Sequence, residues 1–358
     1  MASKDIFLAT HPRACSTAFE RVFMTCRDRL ACVHEPFGDA WYFGPERLSD
    51  RFEDDEAARK KTGFSETTYG DIFGEIEKTA TQEGKRVFIK DMAQYWLPLP
   101  SKSDSVSIAP SLVSYRRGVG TTNGTTTNGT TTNGTANGTH DEAPVIEPGN
   151  PTVVPDDLLR KYHFTFLIRH PRSSVPSYFR CTIPPLSSMT GFDYYDPVEA
   201  GYKELRMLFD YLVKEGHVGP KIAGTGNRTH YPENGTNGHG IGNGINGNVG
   251  VNGTAVANGD DAKVEICVID ADDLLDAPFA VVEAYCKSIG LKYDPGMLKW
   301  DDDENQAHAK QKKAPKSEEE LEKEWTAKFG TDSAKVMLQT MRENVADFEY
   351  LQQFALKI

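Results

Sequence analysis

Residues 5–26 read DIFLATHPRACSTAFERVFMTC, and the order of patterns within them decides the architecture. Asp5–Thr10 is a continuous apolar run, the pattern of a strand covered on both faces. HPRACST follows over 11–17, and Ser16–Arg29 then places Phe19, Val22, Phe23 and Cys26 on one helical side. The same alternation recurs along the chain. Ala31–His34, Arg86–Met92, His163–Arg169 and Val264–Ile269 read as further strands. Asp196–Gly216 carries Val198, Tyr202, Leu205, Phe209 and Leu212 on one stripe, and Ser333–Ala355 repeats it with Met337, Met341, Val345, Phe348 and Leu351. This predicts an α/β fold, a parallel β-sheet flanked by helices, with ligands bound beyond the carboxyl ends of the strands.

Two low-complexity tracts interrupt the pattern. Of the 22 residues in 118–139, 20 are Gly, Thr or Asn, and 223–259 holds 11 Gly and 8 Asn. Neither can bury a core, so both are expected to be insertions within a single domain spanning 1–358. Their Asn-Gly-Thr repeats match a glycosylation sequon, but the N-terminus reads as a strand and not as a secretory signal.

The 358-residue chain has 40 Lys and Arg against 52 Asp and Glu, a net charge of −12. That argues against nucleic-acid binding, which relies on broad basic surface, and leaves room only for a local anion pocket. No apolar run approaches the roughly 20 residues of a membrane span. The six cysteines form no C-x-x-C pair, so reduced thiols in the cytoplasm are expected. No His/Cys/Asp spacing points to a metal.

Two loops carry candidate chemistry. In 11–17, small residues and hydroxyls open a helix, where backbone N–H groups and the helix dipole favour an anion, and Arg13 adds a cationic fork. The glycines and lysine of GxxxxGK[ST] are missing, which disfavours a nucleotide kinase or ATPase. An ordinary Ser N-cap beside a surface arginine fits the loop equally well. The second loop, RHPRSSVPSYFRC (169–181), opens another helix. Ser173 or Ser174 is the expected cap, with Pro176 in the first turn, and Arg169 and Ser177 are placed to face one anion.

Together these loops resemble the paired signatures of the sulfotransferases that use 3′-phosphoadenosine 5′-phosphosulfate (PAPS). Pro12-Arg13-Ala14-Cys15-Ser16-Thr17 is similar to the family's P-[RK]-S-G-[ST]-T loop, with Ala14 and Cys15 replacing Ser-Gly. Arg169, Pro171 and Ser177 match the spacing of its 3′-phosphate signature. RVFIKDMAQYWLP (86–98), VEICVIDADDLLDAP (264–278) and GLKYDPGMLKW (290–300) resemble further family segments. The resemblance implies a P-loop NTPase-like sulfotransferase architecture of the fungal or bacterial small-molecule type. It implies PAPS as donor, PAP as product and no metal. It also implies sulfuryl transfer to a hydroxyl or amine of a small acceptor, as in secondary metabolism. Arg13, Ala14, Cys15, Ser16, Thr17, Arg169 and Ser177 would hold the donor, and Lys90 would assist. Lys310, Lys312 and Lys313 would stand in for a missing C-terminal segment that closes over the 3′-phosphate.

The base is less determined. Where many family members carry a His, this chain has Met92, which accepts no proton. Glu35 in CVHEPF (32–37) is the leading candidate, with His34 and Asp91 as competitors, although Asp91 should point away from its strand neighbours. Aromatic segments 40–45 and 191–197 point to an apolar or aromatic acceptor. Two other outcomes stay open: sulfation that drives elimination or cyclisation, and a non-catalytic scaffold that binds PAP or another nucleotide. The oligomeric state is not encoded legibly.

Overall fold

The computed structural model describes residues 3–99, 106–115, 144–224, 264–299 and 316–358. Tract 118–139, all but the first two residues of 223–259, and Lys310, Lys312 and Lys313 lie outside the described residues. Five strands form one sheet: β1 (Asp5–Thr10), β2 (Leu30–His34), β3 (Arg86–Met92), β4 (Tyr162–Ile168) and β5 (Val268–Asp270). Their order is β2-β3-β1-β4-β5, and every pairing is parallel. Seven of the longer helices surround it: α1 (Ser16–Met24), α2 (Tyr69–Glu83), α3 (Pro171–Cys181), α4 (Tyr202–Lys214), α5 (Pro278–Ser288), α6 (Glu318–Phe329), which packs on other helices, and α7 (Thr331–Gln352). The expected α/β class is what the chain adopts.

Alternation along β1 divides the core. Phe7 and Ala9 join Ile89, Phe164, Phe166 and the helix residues Phe73 and Phe209 on one face. Ile6 and Leu8 join Phe88, Leu167 and Phe19 and Phe23 of α1, with Tyr285 of α5, on the other. A third cluster, built on Val175, Trp325, Met337 and Met341, docks α6 and α7 against α3. Among the described residues no helix is long and apolar enough to cross a membrane.

Several expected boundaries shift for local reasons. α1 ends at Met24, where Thr25 turns its hydroxyl back to the Val22 carbonyl. The last strand is shorter than Val264–Ile269, because Ile266 bridges to Ile222 instead of extending β5. Ala223, the first residue of the second tract, donates to the Ile266 carbonyl and is buried, so the tract's expected start falls inside the fold. α4 begins only after Gly201, the preceding residues Pro197–Ala200 forming a 3-10 turn. The N-cap of α3 is His170, not Ser173 or Ser174, and Pro176 consequently lies inside the helix.

Phe7 sits at the centre of this arrangement, its ring 4.4 Å from Trp96, 5.4 Å from Phe164 and 6.0 Å from Tyr162 by centroids. Removing it leaves a cavity that a close-packed sheet core cannot collapse around. Phe7→Ala should cost about 3–5 kcal/mol, measured as a lower urea midpoint at unchanged slope.

Candidate active site

The carboxyl ends of β1 and β4 are tied together before either loop begins. The Thr10 hydroxyl donates to the Leu167 carbonyl at 2.9 Å. His11 follows, fully buried and stacked on Tyr202 at 3.9 Å between ring centroids. Its Nδ1–H donates to the Pro12 carbonyl (3.0 Å), so its Nε2 is free to accept from the Arg169 N–H (2.9 Å). Both bonds together require a neutral ring, and burial above all holds the His11 pKa down at about 3. His170 plays a similar part after β4. Its Nδ1 accepts from the Arg172 N–H at 3.1 Å, and burial, then Arg172, lowers its pKa to about 4. The sequence signal for these two struts is the repeated His-Pro-Arg at 11–13 and 170–172.

The strut brings the two loops into contact. Arg13 Nε donates to Ser177 Oγ at 3.0 Å, and Arg169 Nη1 donates to the Arg13 carbonyl at 3.3 Å. Arg169 Nε is buried without a hydrogen-bond partner. Ala14 packs into the core, Ser16 is buried at the start of α1, and Thr17 beside it is exposed. No side chain caps α1, so the first-turn N–H groups face the loop unsatisfied by the helix. Arg13 and Cys15 have φ of 64° and 65°. Left-handed residues alternating along a loop curl its N–H groups into an anion-binding concavity. Burial chiefly raises the Cys15 thiol, which disfavours the thiolate.

A second cluster lies at the ends of β2 and β3. Register pairs Lys90 with both Leu8 and His34, and the strand pleat turns its side chain toward α1. Lys90 is completely buried. Its ammonium contacts the Glu35 carboxylate directly and lies 3.6 Å from Glu20 Oε2. The same Glu20 oxygen accepts from His34 Nδ1 at 2.6 Å. Glu35 donates its backbone N–H to the Lys90 carbonyl (2.8 Å) and adopts φ 45°. Among the described residues the non-glycine positions with positive φ are Arg13, Cys15 and Glu35, all three in the two clusters.

Asp91 points to the opposite face, as the pleat requires. Its oxygens accept the N–H groups of Phe37 (2.8 Å) and Met92 (2.7 Å) within a fully buried pocket. Burial, then the Glu35 charge, pushes its pKa well above the usual carboxylate range. Its part is to pin the 35–37 turn onto β3. Sequence reasoning missed Glu20 and His11, since each was counted only as part of a helix or strand end. It also missed Arg51. That guanidinium bonds Glu199 through two nitrogens (2.9 and 2.7 Å) and lies over the rings of Phe192 (4.6 Å) and Tyr194 (4.2 Å). Aromatic segments 40–45 and 191–197 meet there, Tyr42 against Phe192 at 5.6 Å.

No family model matches the chain, and no curated protein matches it by sequence. Among solved structures, it is similar to the sulfotransferase domain from the curacin biosynthetic pathway, at 11% identity and a TM-score of 0.32. It is similar likewise to the sulfotransferase domain from the Synechococcus PCC 7002 olefin synthase, at 12% identity and 0.32. Each alignment covers 83% of this chain and 78% of the other. At that TM-score the likeness carries no argument.

Two outcomes follow from this geometry. Cys15→Gly relieves a left-handed conformation that a Cβ disfavours and should stabilise the chain by roughly 0.5–1 kcal/mol in denaturant titrations. The His34 pKa is raised above 6.5, chiefly by its hydrogen bond to Glu20. Its stabilising contribution is therefore complete below pH 6.5 and fades as pH rises through the folded value. His34→Ala should lower the melting temperature more at pH 5.5 than at pH 9.

Proposed function

We propose that the chain is a PAPS-dependent sulfotransferase acting on a hydroxyl or amine of a small-molecule acceptor. The observation that carries this reading is the junction of Arg13, Arg169 and Ser177, where residues 164 positions apart share one hydrogen bond. A buried guanidinium N–H left without an acceptor is costly, and Arg169 Nε is such a group. Two guanidiniums, a serine hydroxyl and an uncapped helix start form a donor-rich set suited to phosphate and sulfate oxygens.

PAPS, when bound, supplies an activated sulfuryl group. Arg169 and Ser177 hold the 3′-phosphate, with Ser177 free to donate its own hydroxyl proton while it accepts from Arg13. Arg13, the N–H groups of Ala14 and Cys15, and the hydroxyls of Ser16 and Thr17 take up the negative charge that develops on the transferring group and its leaving phosphate. Lys90 assists by holding the Glu35 carboxylate in place at the end of β3. Glu35 takes the acceptor proton: it is 28% exposed by side chain, whereas Lys90 and Glu20 are shut off. The six free thiols suit a reducing compartment such as the cytoplasm.

Calorimetry should show PAP binding more tightly than AMP, and Arg169→Ala should weaken PAP by more than tenfold, since a charge-assisted bond to phosphate contributes about 1.5–3 kcal/mol. Equal affinity for PAP and AMP would remove the reading. Mass spectrometry of acceptors incubated with PAPS separates a stable sulfate from an eliminated or cyclised product, and an unchanged acceptor panel marks a binding scaffold. Glu35→Gln keeps the side chain's shape and should reduce turnover roughly 10²–10⁴-fold with little change in PAP affinity. Near-normal turnover in that variant would transfer the base to His34.

A further inference from the structure

We infer that Glu20 is the positioning carboxylate of this site: it acts as the standing counter-ion of Lys90 and the orienting partner of His34, and thereby leaves Glu35 free to exchange a proton. The inference deepens the reading above and rests on its assignment of Glu35.

The reasoning starts from Lys90. An ammonium with no exposure must be compensated by a nearby anion or lose its proton. Glu35 is in contact, yet it is the carboxylate that an acceptor can reach. Were it the sole partner, each proton it accepted would leave a bare buried cation, and proton uptake would be opposed by the full cost of that isolation. Glu20 removes the conflict. Its carboxylate is 2% exposed and lies 3.6 Å from the same ammonium. No acceptor reaches it, so the ammonium keeps a carboxylate neighbour that does not itself meet the substrate.

Glu20 in turn is buried and needs a second donor. His34 Nδ1 supplies it at 2.6 Å, on the very oxygen that faces Lys90. Because that oxygen accepts, the ring proton resides on Nδ1, and Nε2 is left at the half-exposed edge of the imidazole. The groups that face His34 are Glu20 from α1, Lys90 from β3 and the adjacent Glu35. Two carboxylates against one ammonium leave one surplus negative charge while His34 is neutral. The cluster is therefore set to hold one further proton, and Glu20 is the member that both charges and orients it. α1 places Glu20 one turn beyond Ser16 on the same helical side, so one helix carries both a donor-loop hydroxyl and this counter-ion.

The test is Glu20→Gln, read in two ways. NMR titration of the His34 ring in the free protein should show proton binding weakened tenfold or more, since the charged partner is gone. With PAPS and a competent acceptor, kcat should fall at least tenfold and the acid limb of the pH–rate profile should move to lower pH, while the PAP Kd stays within twofold of wild type. An unchanged His34 titration in a folded variant would overturn the inference, as would a PAP Kd that rises in step with the loss of kcat. If Glu20→Gln does not fold, the ¹⁵N shifts of the His34 ring in the wild-type protein decide: the Nδ1–H tautomer is expected, and the Nε2–H tautomer would overturn it. A wild-type protein with no turnover and no PAP binding refutes the sulfotransferase reading and the role with it. An active wild type with a fully active Glu20→Gln variant refutes the role alone.

Discussion

β1 is hydrogen-bonded along its length to β3 on one side and β4 on the other, and both run parallel to it. Their carboxyl ends therefore emerge at one edge, on either side of the loop that β1 feeds into. Nothing else in the sequence relates residue 13 to residue 177, or residue 20 to residue 90. The order β2-β3-β1-β4-β5 makes the chain leave β1 toward β2 and return across it to β4, a switch in direction at the strand whose loop carries Arg13. Open parallel sheets bind ligands at such points. The donor-rich junction forms on the β4 side and the carboxylate cluster on the β3 side, so the two chemical tasks are divided between the flanks of one strand.

The electrostatics of those flanks differ in kind. The β4 side gathers cationic donors with few acceptors, in a chain whose overall charge is strongly negative. The β3 side is close to balanced, a buried ammonium held between two carboxylates. Buried ion pairs are weak sources of stability, because desolvation offsets most of the Coulomb attraction. Apolar residues at 20 and 90 would serve packing at least as well, since both side chains are buried and Phe19, Phe23, Phe88 and Ile89 around them are core. Charges placed where hydrophobes would fit are not required by folding alone.

The strands β1, β3 and β4 were legible because sheet residues covered on both faces give short apolar runs, Ile6–Ala9, Val87–Ile89 and Phe166–Ile168, even where Lys90 and Asp91 interrupt β3. The loops at 11–17 and 169–177 were legible because their residue types and spacing are unusual for simple turns. What escaped reading has specific causes. Val264–Cys267 has the composition of a strand but is drawn off by Lys221–Ala223, a tertiary pairing that local pattern cannot register. His170 was passed over as a cap because imidazole is an uncommon one, although its Nδ1 reaches the Arg172 N–H as a serine hydroxyl would. Glu20 sits among Phe19, Val22 and Phe23, where a search for apolar periodicity treats a carboxylate as an interruption. Its meaning appears only once Lys90, seventy residues later, is folded against it.

Backbone strain gives a separate line of reasoning toward the same residues. Arg13, Cys15 and Glu35 hold left-handed backbone that an L side chain disfavours by roughly 1–2 kcal/mol each. A chain under selection for stability alone would place glycine at such turns, and here it does so at Gly63, Gly84, Gly191 and Gly290, all of which are helix ends or surface turns. At 13 and 35 the side chain itself is what the position supplies: a guanidinium that reaches Ser177, and a carboxylate that reaches Lys90. Glycine would ease the backbone and abolish both contacts. Cys15 makes no polar contact of that kind, so its strain accompanies only a partly buried side chain packed between Ala14 and Ser16. The two strained residues with chemistry to offer stand on opposite flanks of β1, one at each of the clusters that its parallel pairing brings to a common edge.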